Sequence, residues 1–183
     1  DIGYLQEAAA LLYNGPWVAE RTAALLDLLE RDPDAIDPTV RKVVEPGAEI
    51  SAVGAFEGQY RLAALQREAE AMWDRVDMLA FPTTGTIYRI AELLAEPVAL
   101  NSNLGFYTNF VNLLDMAAVA VPAGQRDNGT GFGITLIGPA GSDSGLLEAA
   151  EDYCAAAGLP ATPALDLEGK METVKLAVVG AHL

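Results

Sequence analysis

Few residues in this 183-residue sequence are of a type able to carry chemistry, and their scarcity excludes several kinds of site. The single histidine is His182 and the single cysteine is Cys154. A Ser-His-Asp or Cys-His arrangement would depend on that histidine, and a zinc site needs several such ligands. Gly141–Gly145 (G-S-D-S-G) resembles a serine-hydrolase elbow, but its centre is aspartate, so it predicts a helix N-cap turn. Because no phosphate-binding glycine loop is present either, we expect no metal and no cofactor.

The composition favours a folded domain with a strongly acidic surface. Apolar residues make up 51% of the sequence, and the formal net charge is −15, from 26 acidic and 11 basic side chains. Such a surface repels phosphate backbones and anionic lipid heads, so we expect neither nucleic acid nor a membrane as partner. A single cysteine excludes an internal disulfide and favours a reducing, cytoplasmic compartment. No apolar run reaches the roughly 18 residues of a membrane span.

The periodicity of apolar residues predicts helices first and strands later. Helices are predicted over 2–12, 17–31, 38–44 and from Ser51 to about Arg75. In the second half, strands are predicted over 78–82, 118–122, 132–137 and 174–179, and helices over 90–95, 108–115 and 143–157. Strands interleaved with helices predict an α/β fold with a mixed sheet flanked by helices.

Two local patterns give sharper expectations. Val121-Pro122-Ala123-Gly124 predicts the end of a strand, since proline cannot donate onward and glycine permits a turn. Asn109 and Asn112 lie one helical turn apart, so they share a face, where buried amides could bond a neighbouring loop.

Four segments, taken in order, resemble the downstream half of the amidase-signature family. They are the strand end F-P-T-T-G-T, the helix T-N-F-V-N-L-L-D, the turn V-P-A-G and the strand G-F-G-I-T-L-I-G-P-A, over 81–86, 108–115, 121–124 and 131–140. The second and fourth are similar to the allophanate hydrolases within that family. The resemblance covers nearly the whole chain. It implies that residues 1–170 are the C-terminal half of an amidase domain, with the fold incomplete in this chain.

The resemblance implies that the catalytic residues lie upstream of this sequence. The family uses a Ser–cis-Ser–Lys triad within a Gly/Ser-rich signature, in which the lysine polarises the bridging serine and that serine deprotonates the nucleophile. Lys42, Lys170 and Lys175 have no serine-rich partner segment, so none is assigned to a triad. We therefore expect no catalytic residue here and no amidase activity from this chain alone.

The resemblance also implies a substrate-binding pair, Tyr13 and Arg21. Their spacing in L-Y-N-G-P-W-V-A-E-R is similar to that of the tyrosine and arginine that grip the substrate carboxylate in the family. A guanidinium holds a carboxylate bidentately and a phenol adds a neutral donor. Arg21 begins a predicted helix and Tyr13 precedes a turn, so the two could converge across Pro16. The alternative is a solvated Arg21 and a core Tyr13.

The implied function is that of a fragment of an allophanate hydrolase, which hydrolyses the amide C–N bond of the small anion allophanate (urea-1-carboxylate) and releases ammonia in urea degradation. Such an enzyme works beside a biotin-dependent urea carboxylase, and a homodimer is compatible with the sequence. Residues 171–183 resemble a linker and the first strand of a separate C-terminal domain. An N-terminus without methionine and an end directly after a predicted strand favour a piece of a longer protein.

Two alternatives remain open from the sequence. One is another amidase-signature enzyme with a different amide substrate, such as a subunit of an amidotransferase. The other is a non-catalytic binding domain, which only the missing triad supports.

Overall fold

A computed structural model of the protein describes residues 2–159. Within that range, helices pack on a small sheet, as the α/β class predicts. The helices are α1 (Gly3–Asn14), α2 (Trp17–Arg31), α3 (Pro38–Val44), α4 (Ala52–Glu70), α5 (Ile90–Ala95), α6 (Pro97–Leu104), α7 (Phe110–Leu113) and α8 (Asp143–Ala156). The strands are β1 (Leu79–Pro82), β2 (Ala117–Gln125) and β3 (Gly131–Gly138), and two 3₁₀ turns span Pro33–Ala35 and Glu45–Glu49.

Local capping explains where three of the first helices begin. Pro16 is the N-cap residue of α2, where its missing N–H leaves no helical bond unmade. The Asp37 carboxylate accepts from two backbone N–H groups at the start of α3. The Ser51 hydroxyl accepts from Gly54 N at 3.1 Å at the start of α4, as the sequence predicts.

The core lies where α1, α4 and α7 meet the sheet. Its largest fully buried side chains are Leu5 of α1, Leu65 of α4, Phe110 of α7 and Ile137 of β3. The Phe110 ring meets Phe81 of β1 edge-on, with ring centroids 6.0 Å apart. A second cluster forms where α8 covers β2 and β3. These contacts fix α1 on one side of the molecule.

The described sheet is three-stranded and antiparallel throughout, in the order β1-β3-β2. A mixed sheet was expected, and no parallel pair occurs among the strands of residues 2–159. The predicted end of β2 at Pro122 is wrong. The strand continues to Gln125 through a bulge between Pro122 and Gly124, where Gly124 has φ +121°. Proline is tolerated because β2 is an edge strand of the described sheet.

Several predicted bounds also need correction. Helix α4 ends at Glu70 rather than near Arg75, and α6 was not predicted because Pro97 was taken only as a helix stop. Helix α7 has only four residues, and the N-cap residue of α8 is Ser142 rather than Asp143 or Ser144. The predicted strand at 174–179 and the segment 171–183 lie outside the described residues.

Candidate substrate-binding site

The connection between α1 and α2 sets the positions of Tyr13 and Arg21. Tyr13 lies in the last turn of α1, and Arg21 lies in the second turn of α2. Gly15 ends α1 in an extended conformation, and its N–H donates to Leu11 O at 3.1 Å. Pro16 then begins the next helix, so the chain reverses within two residues and brings the end of α1 beside the start of α2.

The structure brings Tyr13 and Arg21 into direct contact across this turn. The guanidinium carbon of Arg21 lies 4.9 Å from the centre of the Tyr13 ring, within the range of a cation–π interaction. Arg21 Nη1 also donates to Leu12 O at 3.4 Å. That carbonyl belongs to the last turn of α1, where the helix dipole favours a cation. Both contacts hold the guanidinium over the end of α1.

The exposure of the two residues decides between the interpretations that the sequence left open. Tyr13 is 39% exposed, so it is not a core aromatic residue, and Arg21 is half-buried, so it is not a freely solvated side chain. Arg41 and Arg61 form ion pairs with carboxylates, whereas Arg21 forms none within residues 2–159. The pair therefore presents a fixed cation without an internal counter-ion, beside an accessible phenol.

Helix α2 is fixed from its other side by a close approach of backbone. A Cβ atom on Gly47 would lie 2.6 Å from Val18 O and closer still to the Thr22 hydroxyl, so only glycine fits there. The buried Thr22 hydroxyl lies 2.8 Å from Val18 O and 2.5 Å from Val44 O, and it donates to one of them at a time. The helix that carries Arg21 is thus anchored to the 3₁₀ turn at Glu45–Glu49.

Helix α1, which carries Tyr13, has its own anchors. Glu7 and Arg61 of α4 form a bidentate ion pair, with Arg61 Nε 2.6 Å from Glu7 Oε1. The hydrogen bond to that guanidinium lowers the pKa of the Glu7 carboxyl below its ordinary value. The Tyr4 hydroxyl contacts Met72 Sδ at 3.1 Å, and burial raises the Tyr4 pKa. The two residues of the candidate site are therefore held by separate sets of contacts.

Sequence reasoning missed Arg126, which lies just after β2. Its Nη2 donates to Gly85 O at 3.3 Å, and its guanidinium lies over the Phe132 ring, 5.6 Å from the centre. The Nε atom is buried and has no hydrogen-bond partner among the described residues. These contacts tie the β2–β3 hairpin to the loop that follows β1. The signal in the sequence was a lone basic residue in a glycine-containing loop.

The paired asparagines do not behave as expected. Asn112 is exposed, and Asn109 is half-buried with its amide packed against Gly105. The expectation of two buried amides on one face is wrong, since α7 is a single turn and presents only Phe110, Val111 and Leu113 to the core.

Other kinds of site find little support in the described range. There, no group of three or more His, Cys, Asp and Glu side chains is arranged to hold a metal ion. No helix within residues 2–159 is both long and apolar enough to cross a membrane. Lys42 is exposed on α3 and lines an open cleft of about 460 Å³ with Glu96 and Pro97. That cleft includes neither Tyr13 nor Arg21, so it is separate from the candidate site.

Comparison with known proteins gives concordant results. The family model described as Amidase matches residues 4–147. The chain is 38% identical over its whole length to urea amidolyase of Saccharomyces cerevisiae, of which it spans 11%. A solved structure of selenomethionine-substituted Kluyveromyces lactis allophanate hydrolase matches 86% of the chain with a TM-score of 0.82 and 38% identity; the match covers 26% of that protein.

A more distant relative bears on the amidotransferase alternative. A polypeptide of the glutamyl-tRNA(Gln) amidotransferase of Jannaschia sp. is 29% identical over 72% of this chain, and the match covers 28% of that polypeptide. This identity is lower and the alignment shorter than for the yeast urea amidolyase.

Proposed function

Since the chain belongs to the amidase family, we propose that it forms part of an allophanate hydrolase, with Tyr13 and Arg21 binding the substrate carboxylate. Its similarity to a urea amidolyase and to an allophanate hydrolase supports this choice within the family. The proposed reaction of the full protein is hydrolysis of the allophanate amide bond, with release of ammonia.

One observation carries the assignment of the binding residues. Arg21 is held against the Tyr13 ring and Leu12 O, yet it forms no ion pair within residues 2–159. In a chain of net charge −15, a cation that is held in place but not neutralised is suited to a small anion. Guanidinium matches the geometry of a carboxylate, and the phenol supplies a second, neutral donor.

The proposed division of labour follows from the chemistry of the substrate. Binding the non-reacting carboxylate orients the amide carbonyl toward a nucleophile, which we place on a Ser–cis-Ser–Lys triad outside this chain. Residues 1–170 then form the C-terminal half of the amidase domain, and 171–183 lead into a further domain. We also propose a cytoplasmic location and a functional link to a biotin-dependent urea carboxylase, in keeping with the similarity to a urea amidolyase. A homodimer remains part of the proposal.

The test is a substitution of Arg21 by alanine in the full-length protein that contains this segment. Loss of a charged partner for a carboxylate is expected to raise the KM for allophanate about 100-fold, with kcat little changed. Arg31→Ala is the matched control, because Arg31 is exposed in the last turn of the same helix. Biuret, in which a neutral amide replaces the carboxylate, should show no comparable loss.

Unchanged allophanate kinetics in Arg21→Ala would contradict the assignment and favour a different amide substrate, as in the amidotransferases. The 183-residue chain alone should show no turnover, and joining it to an upstream segment that carries the lysine and the two serines should restore activity. Turnover by the isolated chain would contradict the proposed place of the triad.

A further inference from the structure

Gly58, in the middle of α4, packs directly against Pro16 at the start of α2. A Cβ atom on Gly58 would lie 2.6 Å from Pro16 Cδ and closer still to Pro16 Cγ. Atoms of real side chains do not approach that closely, so any other residue would force the proline ring away. Gly58 is buried, and Pro16 fills the space that its missing side chain leaves.

Displacement of Pro16 would act on Arg21 rather than on Tyr13. Arg21 follows Pro16 by five residues on the same helix, so a shift of the helix start moves its guanidinium. Tyr13 belongs to α1, which is held to α4 by the Leu5–Leu65 core and the Glu7–Arg61 pair. Helix α2 is packed on its other side against Gly47, so α2 has little freedom to relax elsewhere.

We propose that Gly58 is a positioning residue that seats Pro16 and thereby sets the distance between Arg21 and Tyr13. The inference rests on the proposed function, because it gives Gly58 a role through the carboxylate-binding pair. Gly58 touches no substrate. It acts by allowing α4 to approach the turn between α1 and α2 closely enough to hold Arg21 over the Tyr13 ring.

The chain offers a matched control on the same helix. Gly54 lies one turn before Gly58, but a Cβ atom there would meet Ser51 Oγ at 3.6 Å and Ile50 Cγ2 at 3.8 Å, which are ordinary contacts. Alanine has the higher helix propensity, so propensity alone would make both Gly54→Ala and Gly58→Ala slightly stabilising. A difference between the two variants therefore reports the contact with Pro16.

The experiment measures KM and kcat for allophanate in the full-length protein. Gly58→Ala is expected to raise KM about tenfold with kcat little changed, while Gly54→Ala matches the unsubstituted protein. In the Arg21→Ala background, Gly58→Ala should raise KM no further, because the residue through which it acts is gone. A merely structural role would instead lower activity by the same factor in both backgrounds.

Pro16→Ala gives a variant without a clash, for use should Gly58→Ala fail to fold. It empties the seat, so KM should rise severalfold, and adding Gly58→Ala to it should restore part of the loss because the new methyl group has room. If neither Gly58→Ala nor Pro16→Ala changes KM while Arg21→Ala does, the positioning role is overturned and the proposed function stands. If Arg21→Ala leaves KM unchanged, the proposed function itself fails.

Discussion

Arg21 lies with its guanidinium carbon 4.9 Å from the centre of the Tyr13 ring, although the two residues belong to different helices. Tyr13 can therefore serve in two ways that are separable by substitution. Its ring orients the guanidinium, and its hydroxyl is free to donate to a ligand. The ring contact depends on the reversal of the chain at Gly15 and Pro16.

Replacing Tyr13 by phenylalanine keeps the ring and removes the donor. We expect the KM for allophanate to rise about tenfold in the full-length protein, the usual cost of one hydrogen bond to a charged group. Tyr13→Leu removes the ring contact as well and should raise KM further. Tyr60→Phe is the control, since Tyr60 is 71% exposed on α4. An unchanged KM in Tyr13→Phe, measured by steady-state kinetics, would remove the phenol from the site.

Removing the Thr22 hydroxyl should destabilise the protein. Thr22→Val keeps the shape of the side chain but leaves Val44 O without its donor, so we expect a loss of about 1–3 kcal/mol in the free energy of unfolding. Thr22→Ser keeps the hydroxyl and should lose less. Thr39→Val is the control, because the Thr39 hydroxyl makes no hydrogen bond to the described residues. Equal urea midpoints for the two valine variants would show that the buried hydrogen bond contributes nothing.

The Glu7–Arg61 pair should give a pH-dependent contribution to stability. Because the folded pKa of Glu7 is lowered from 4.5, the contribution is present above that value and is lost as pH falls through the lower folded pKa. Glu7→Gln should therefore lower the urea midpoint at about pH 7 and leave it unchanged at about pH 2. High salt should reduce the difference at neutral pH, since both side chains are about half exposed (48%). A difference that persists in acid would contradict the ionic origin.

The core around α7 depends on one aromatic side chain. Phe110 is 1% exposed, so Phe110→Ala should cost about 3–5 kcal/mol in the free energy of unfolding. Phe56→Ala removes the same atoms from a side chain that is 54% exposed and should cost less than about 1 kcal/mol. Chemical denaturation followed by circular dichroism measures both. Similar losses in the two variants would argue against the core that α1, α4 and α7 share.

Much of the helical half could be predicted, because its punctuation is local. The bounds of α2 and α3 follow from Pro16, Pro38 and the breaks after them, and the structure confirms both. Helix α6 was missed for the same reason. Pro97 stops one helix and also begins another, since the first helical residue needs no N–H donor.

The sheet and the site depend on contacts between distant residues, which sequence patterns do not contain. The continuation of β2 past Pro122 requires knowing that it lies at the edge of the described sheet. The convergence of Tyr13 and Arg21 was expected from their spacing, and the contact between their side chains confirms it. The close approach of Gly58 to Pro16 was not expected, because an interior glycine in a helix does not indicate which neighbour fills its place.

The bulge in β2 also affects how this hairpin tolerates insertion and deletion. Ala123 has no partner on β3, so the strand holds one residue more than regular pairing needs. Because side chains alternate between the two faces, deleting Ala123 would invert the orientation of every residue beyond it, including Arg126 at the hairpin tip. Residues up to Val121 would keep their register. Length variation in this strand is therefore costly at one position, whereas the exposed tip at 127–129 can gain residues without disturbing the packing of α8 on β2.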